Sequence, residues 1–484
     1  MPCATKCISS FQIKNLDLLT PSPILHPMSE WQEPDQRAEQ LAEKARELFQ
    51  KGRLKEAEAC LREAIELEPE RGSWRMNLGV TLQALGRTDE ALRCFEMACQ
   101  RSPDHAEPRI AAAIAAAALE RWKLALKWAE EATQRKPDID AAWAVRIESL
   151  RRLGRREDAS LAFYLAQQHL EAAPATLQAM AEVLLEEGKT ERAAWSLREA
   201  LRLEPSLGRV RVRLAQIAAD SGQPHRAVEL LTEEVRHHPG DVNAWIAFGD
   251  LLMRLRRGPE AAEKYRRAAE LNPESGPARW RLGNIALAAR RIDEAVNELE
   301  AAVRLSPDNP SPRVELAHAR LERGETEEAA RLLEVHAERT PPESDERLEN
   351  PQGAVSLADL MLRAHRPLLA ARTLTAALRY PSCATDATLM RRLALARYES
   401  NDLSGGDDAS RALHRLDARD RAAPYNLALS ALQRNNLTEA RTWIRTGLAA
   451  HPRDAGMRRL MLRTWIARAL QLFGRKAGQP SRRA

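Results

Sequence analysis

Proline returns along this chain at a fixed interval: Pro69, Pro103, Pro137, then Pro205, Pro239, Pro273, Pro307 and Pro341 stand 34 residues or a multiple of 34 apart. A chain written in one short period does not fold around a single globular core. Each unit buries its apolar face against the next copy, so the structure grows as a stack of helix pairs. Alanine keeps the same beat twelve residues before each of those prolines, at Ala57, Ala91, Ala125, Ala193, Ala227, Ala261, Ala295 and Ala329. Ala159 fills the slot in the beat whose proline is displaced to Pro174.

With each proline counted as position 32, the interior of the beat recurs as well. The second repeat carries Leu78 and Gly79 at positions 7 and 8, Gly86 at 15, Ala91 at 20, Phe95 at 24 and Ala98 at 27. The seventh carries Trp245 at 4, Gly249 at 8, Ala261 at 20, Tyr265 at 24 and Ala268 at 27, and the eighth Leu282, Gly283, Ala295 and Ala302. Small residues at 8 and 20 let two helices approach closely, and the larger ones at 4, 7, 11 and 24 fill the space around that contact. Glycine at 15 (Gly52, Gly86, Gly154, Gly188, Gly222, Gly324) supplies a left-handed residue that closes the first helix. Thr88, Thr190 and Thr326, each followed by an acid, read as N-caps of the second helix, and proline then ends it.

On these residues the chain resembles the tetratricopeptide repeat (TPR) family. The resemblance covers nine consecutive copies from about Ala38 to Pro341. It implies an all-α fold, a right-handed superhelical solenoid of about twelve TPR helix pairs closed by a C-terminal capping helix. Composition agrees, because 30% of residues are charged and only 4% aromatic, with few β-branched runs for strands to occupy.

The organisation read from the sequence is a flexible leader over 1–35, nine regular repeats over 36–341, a joint or linker at 342–352, degenerate repeats over 353–452, a capping helix at 453–473 and a basic disordered tail at 474–484. The joint is placed where the next proline, Pro381, comes late. Gly405 and Gly406 are expected to loosen the repeat that holds them, and Met28 is an alternative start to Met1. The capping helix is expected to seal the last repeat with Leu460, Leu462, Trp465, Ile466, Ala469 and Leu470 along one side. Residues 453–484 hold nine Lys or Arg and one acid, so the basicity of a chain with net charge +5 resides at this end.

Chemistry-bearing motifs are not found. No phosphate-binding loop, nucleophile elbow, metalloprotease helix or paired C-x-x-C occurs, so no catalytic, cofactor-binding or metal-ligating residue is assigned and no cofactor is expected. Cys60, Cys94 and Cys99 read as small buried hydrophobes, and Cys3 and Cys7 lack the further ligands a zinc site needs. His237 and His238 read as contacts to the last carbonyls of their helix, and the acids as solvated i,i+4 partners of arginine. The longest apolar run, Ile110–Leu119, is half the length a bilayer requires, and Met1–Glu30 lacks a secretory core, so cytoplasmic placement without membrane insertion is expected.

Function then rests on the surface that the first helices build. The resemblance implies a concave groove lined by positions 2, 5, 9, 12 and 13 of those helices. Carried over, these are Met76, Val80, Ile110, Ile114 and Ala117 in repeats two and three, then Asn243, Ile246, Asp250, Met253, Trp280, Asn284, Leu287 and His318 in repeats seven to nine. Trp143 and Trp245, at position 4, read as core. The expected function is a non-enzymatic scaffold or adaptor that binds a peptide or helix of one or more partner proteins in this groove. Two alternatives stand beside it: a regulatory or substrate-recruiting subunit of a separate enzyme such as a glycosyl- or sulfotransferase, and a nucleic-acid-associated protein acting through the basic tail. Stacking aromatics interleaved with basic residues are missing from the repeats, which argues against a general nucleic-acid groove.

Overall fold

The computed structural model describes residues 33–477, with side chains described between 36 and 468. The leader and tail segments fall largely outside that range, as do Cys3, Cys7 and Met28. Among the described residues there are 26 α-helices and no strand. They fall into two compact units that meet in sequence at Leu255 and Arg256. The first holds α1 (Glu33–Gln50), α2 (Leu54–Leu67), α3 (Gly72–Ala84), α4 (Thr88–Arg101), α5 (Glu107–Ala118), α6 (Trp122–Arg135), α7 (Asp140–Arg152), α8 (Arg156–Gln167), α9 (Pro174–Glu186), α10 (Thr190–Leu203), α11 (Val210–Asp220), α12 (Pro224–His237) and α13 (Val242–Arg254). The second holds α14 (Gly258–Leu271), α15 (Gly276–Ala288), α16 (Ile292–Leu305), α17 (Pro310–Arg323), α18 (Thr326–Arg339), α19 (Pro351–Arg363), α20 (Pro367–Ala377), α21 (Pro381–Ala384), α22 (Ala387–Glu399), α23 (Leu403–Leu416), α24 (Ala422–Gln433), α25 (Leu437–Ala450) and α26 (Ala455–Ala477). Apart from α13 and α14, which fall in different units, the single turn α21 and the terminal α26, these make eleven helix pairs, six in the first unit and five in the second.

The turn inside each pair is set by one left-handed residue. Gly86 has φ 79°, and the chain closes α3 with bonds from its N–H to the Gln83 carbonyl (3.0 Å) and from the Arg87 N–H to the Leu82 carbonyl (2.9 Å). All six glycines read at position 15 take positive φ, and Glu120, Arg256 and Arg290 adopt it in the same slot of other repeats. Across the pair, a Cβ on Gly79 would run into the Phe95 ring, and one on Gly283 would lie 2.6 Å from Leu299 Cγ. Ala91, Ala261 and Ala295 are fully buried. Small side chains therefore set the helix spacing, as the period implies.

The caps differ from the sequence reading. Thr88, Thr190 and Thr326 are the first helical residues rather than caps, and the N-cap positions are Arg87, Lys189 and Glu325, whose side chains make no capping bond. At this slot arginine reaches forward to the acid three residues on. Arg87 Nε bonds Glu90 at 2.7 Å, and the pattern repeats in Arg53–Glu56, Arg155–Asp158, Arg257–Glu260 and Arg291–Glu294. Side-chain caps occur on first helices, where Asp241, Ser275 and Asn309 accept from backbone N–H groups of α13, α15 and α17, and on the second helices α23 and α25, where Asp402 and Asn436 accept from the Gly405 and Glu439 N–H groups.

Position 4 has a second use besides filling space. Trp143 and Trp245 donate Nε1–H to the carbonyls of Pro137 and Pro239 at 2.8 and 2.9 Å. Arg211, Arg313 and Arg458 occupy the same slot and donate to Pro205, Pro307 and Pro452 at 2.9, 2.6 and 2.8 Å. Indole and guanidinium alternate there because each has an apolar body and a terminal donor of similar reach.

The irregular stretches are ordered by specific contacts. Pro174 does not close a helix; it is the first residue of α9, and Asp140 of α7 caps that helix through bonds from the Ala175 and Thr176 N–H groups (2.7 and 2.9 Å). Pro381 likewise opens α21 rather than ending α20. Between α18 and α19 a 3-10 turn at Glu346–Glu349 buries Leu348 in one cluster with Leu333 and Leu357. Gly405 and Gly406 do not loosen their repeat. Both are buried in the first turn of α23, and a Cβ on Gly406 would lie 2.6 Å from the Tyr398 ring of α22.

The terminal helix α26 extends to Ala477, into the segment read as a disordered tail. It covers the cluster of Ala428 and Ile444 with Met457 and Leu460. Leu462, Trp465 and Ile466, expected to seal that end, face outward instead, at 62, 68 and 52% exposure. Ala469 and Leu470 lie beyond the described side chains.

Candidate functional site

The first-helix residues singled out by the repeat register separate into three groups. Met76, Ile110, Ile114 and Ala117 belong to the core of the first unit, and Val80 is half-buried against it. The reason is the composition of α5: every residue from Pro108 to Ala117 is buried. Alanine leaves so little bulk that the neighbouring first helix, α7, packs directly on it, closing the surface that positions 5 and 9 present in a wider repeat. These side chains give a partner no area to cover.

The second group lies on α13. Asn243 and Met253 are exposed, Asp250 is half-buried, and Ile246 is buried at 8% exposure. Asp241 fixes the start of this helix by accepting from the Asn243 N–H at 2.9 Å.

The third group, in the second unit, forms a concavity. Asn284 and Leu287 of α15 and His318 of α17 line a cleft of about 410 Å³, closed at one side by Arg290, Glu315 and Glu322. Trp280 stands one turn before Asn284 on α15, half-buried on the cluster of Ala286, Leu299 and Leu316. The Arg281 guanidinium lies 5.0 Å from its ring centre. Two polar atoms here are buried and unpaired: the Trp280 Nε1–H, a donor, and Asn284 Oδ1, an acceptor. They lie one helical turn apart on α15 and are sealed from solvent, so a ligand reaches them only where these side chains turn outward.

The rim of the cleft is charged. Glu322 bonds Arg363 Nη2 at 2.8 Å and Arg290 Nη1 at 2.6 Å, and His318 Nε2 stands 3.7 Å away. The bond from Arg363, with the charges of Arg363, Arg290 and His318, outweighs slight burial and holds the Glu322 carboxyl below its ordinary range. Glu315 faces Arg347 at 3.7 Å. Glu322 stands at position 13, a groove position of the register, yet is absent from the residues singled out by sequence; Arg290 and Glu315 stand at positions 15 and 6, and Arg363 and Arg347 come from a later repeat, so the register does not point to them.

Elsewhere the polar groups are structural. His238 Nε2 lies 3.0 Å from the Ser206 carbonyl of the preceding repeat, and its Nδ1 stands 3.1 Å from the Glu234 carboxylate, rather than on the last carbonyls of its helix. Many acids likewise bridge repeats instead of pairing at i,i+4, as in Arg121–Asp89 and Arg254–Asp220, both 2.7 Å. Cys60, Cys94, Cys99 and Cys383 are free thiols; burial pushes Cys99 up to about 11. Among the described residues no cluster of His, Cys, Asp or Glu is arranged to hold a metal, and no helix is long and apolar enough to cross a membrane.

Repeated helix pairs with a left-handed glycine turn and small contact residues define a solenoid repeat protein. Two family models, both described as tetratricopeptide repeat, match residues 43–106, 179–242 and 212–276 in one case and 286–348 in the other. Over these residues the chain carries tetratricopeptide repeats. No curated protein matches it. Similar solved structures include the APC/C hetero-tetramer Cut9–Hcn1, at 15% identity over 88% of this chain and 96% of that one with a TM-score of 0.34. Yeast Tom70 is similar at 16% identity over 91% and 97%, TM-score 0.34, and the human IFIT1 dimer with m7Gppp-AAAA at 15% over 79% and 90%, TM-score 0.45.

Proposed function

We propose that this chain is a non-enzymatic adaptor of the cytoplasm that binds an extended segment of a partner protein on the first helices of its second unit. Tetratricopeptide repeats commonly serve as scaffolds for protein contacts, and the reading here rests on one local observation. The Trp280 Nε1–H and Asn284 Oδ1 are buried without partners beside the cleft formed with Leu287 and His318. A peptide backbone with one apolar side chain would give both atoms partners once the Trp280 and Asn284 side chains turn toward the cleft. The charged rim then selects among sequences by their own charges.

The test is selection of peptides from a displayed library on the full chain, followed by titration of the selected peptides against Trp280→Ala and Asn284→Ala. An indole acting as an anchor is worth about 2 kcal/mol, a roughly thirtyfold loss of affinity, with helicity unchanged by circular dichroism. Asn243→Ala, on α13, serves as the control within the same register. Selected peptides that bind both cleft variants as tightly as the unaltered chain would overturn the assignment.

A further inference from the structure

The outward face of α26 is a contiguous apolar stripe that no described residue covers. Met461, Leu462, Trp465 and Ile466, at i, i+1, i+4 and i+5, share one side of the helix and are 47 to 68% exposed. The opposite side already meets its own need, with Met457, Leu460 and Thr464 each 2% exposed against the last helix pair. Among the described residues the stripe therefore takes no part in packing α26 on its neighbours.

The charged residues of α26 itself are all basic. Arg458, Arg459, Arg463 and Arg468 are all exposed around it, and the helix from Ala455 to Ala477 contains no acidic residue. Most other exposed large hydrophobics, such as Leu161 and Trp195, sit on helices that carry both signs of charge; Leu368, on α20 with Arg372 alone, stands singly rather than in a stripe. A wide apolar face with an indole, edged only by arginine, is complementary to a surface that is apolar inside and anionic outside. A second copy of the same face would bring like charges together, and a nucleic acid would leave three aliphatic side chains without a use. The helix is too interrupted by charge to span a bilayer, so it lies along one.

We propose that α26 docks the protein on an anionic lipid surface, with Met461, Leu462, Trp465 and Ile466 seated at the headgroup boundary and the flanking arginines on the lipid phosphates and carboxylates. The site is separate from the cleft of the second unit, and peptide capture through Trp280 does not depend on it.

Flotation of the full chain with vesicles tests the proposal, using phosphatidylcholine alone and phosphatidylcholine containing phosphatidylserine. Binding is expected only to the second, weakening as salt is raised. The variant Leu462→Ser, Trp465→Ser, Ile466→Ser changes exposed positions only and should lower partitioning about tenfold or more, and Arg459→Glu with Arg463→Glu about as much, since each arginine near such a surface contributes roughly fivefold. Circular dichroism and size on a column verify that either variant is folded, and Trp465→Ser alone, expected to be weakened in the same direction, decides the case if the multiple variants are not. No binding to anionic vesicles overturns the proposal, as does undiminished binding by the apolar variants. So does a fall in oligomeric state on Trp465→Ser by sedimentation velocity, which would assign the stripe to a second copy of the chain.

Discussion

Glycine does two distinct jobs in this chain, and substitution separates them. At position 15 it relieves backbone strain alone: Gly86 has φ 79° and a Cβ there would meet nothing within 4 Å. At position 8 it relieves contact, since a Cβ on Gly79 would enter the Phe95 ring. Gly86→Ala is expected to cost about 1–2 kcal/mol through the left-handed conformation, and Gly79→Ala about 1–3 kcal/mol through overpacking. The two are distinguishable because Phe95→Leu, which frees ring volume, should soften only the second in a double-mutant cycle. Conversely, Glu120 already holds φ 58° at the glycine slot, so Glu120→Gly should raise stability by about 0.5–1 kcal/mol in urea unfolding. A loss there would mean that Glu120 makes a contact worth more than its strain.

Among the elements, the turn between α18 and α19 carries a buried polar pair. His336 Nε2 and Asp345 Oδ2 lie 3.0 Å apart at 2 and 5% exposure, and Asp345 also accepts from the Arg347 N–H at 3.1 Å. Burial pushes the Asp345 carboxyl up, but the bond and charge of His336, with the Arg347 N–H and guanidinium, outweigh it and hold the group below its ordinary range. A carboxyl depressed on folding contributes stability above its unfolded pKa and loses it as pH falls through the folded value. Acidification below the usual carboxylate range should therefore destabilise this turn, and Asp345→Asn should cost about 2–3 kcal/mol at neutral pH while flattening that acid limb. An unchanged acid limb in Asp345→Asn, followed by urea midpoints, would assign the pH dependence to other carboxylates. This turn also shows what the sequence discloses at the level of elements. Its late proline marked a departure from the period, but the period says nothing of a histidine and an aspartate meeting nine residues apart. Gly86 and Ala91 were legible because their jobs repeat every 34 residues. The arginine at the second-helix N-cap was written as plainly, in Arg53–Glu56 and Arg87–Glu90, yet threonine's known capping preference drew the reading one residue too far. The burial of Ile110 and Ile114 was not legible from position alone, because it depends on how small the rest of α5 is.

In the whole molecule, cohesion is local within each unit: helices touch their neighbours in sequence, and salt bridges such as Arg87–Glu58 and Arg366–Glu334 tie one repeat to the next rather than to distant ones. These exposed pairs add little singly, so stability rests on neighbouring apolar contacts and is expected to vary along the chain. The last helix pair, α24 and α25, depends on α26, whose Met457 reaches the Gly447 backbone and whose Leu460 completes the cluster with Ile444. Ending the chain at Arg453 should uncover Ala428 and Ile444 and abolish most hydrogen-exchange protection in α24 and α25. Protection in α3 to α6, whose core runs from Leu78 through Ile110 to Ala132, should stay as it is in the full chain. The opposite pattern, a uniform drop in protection from α1 to α25, would show that the stack unfolds as one cooperative body and that nearest-neighbour coupling is the wrong description of its stability.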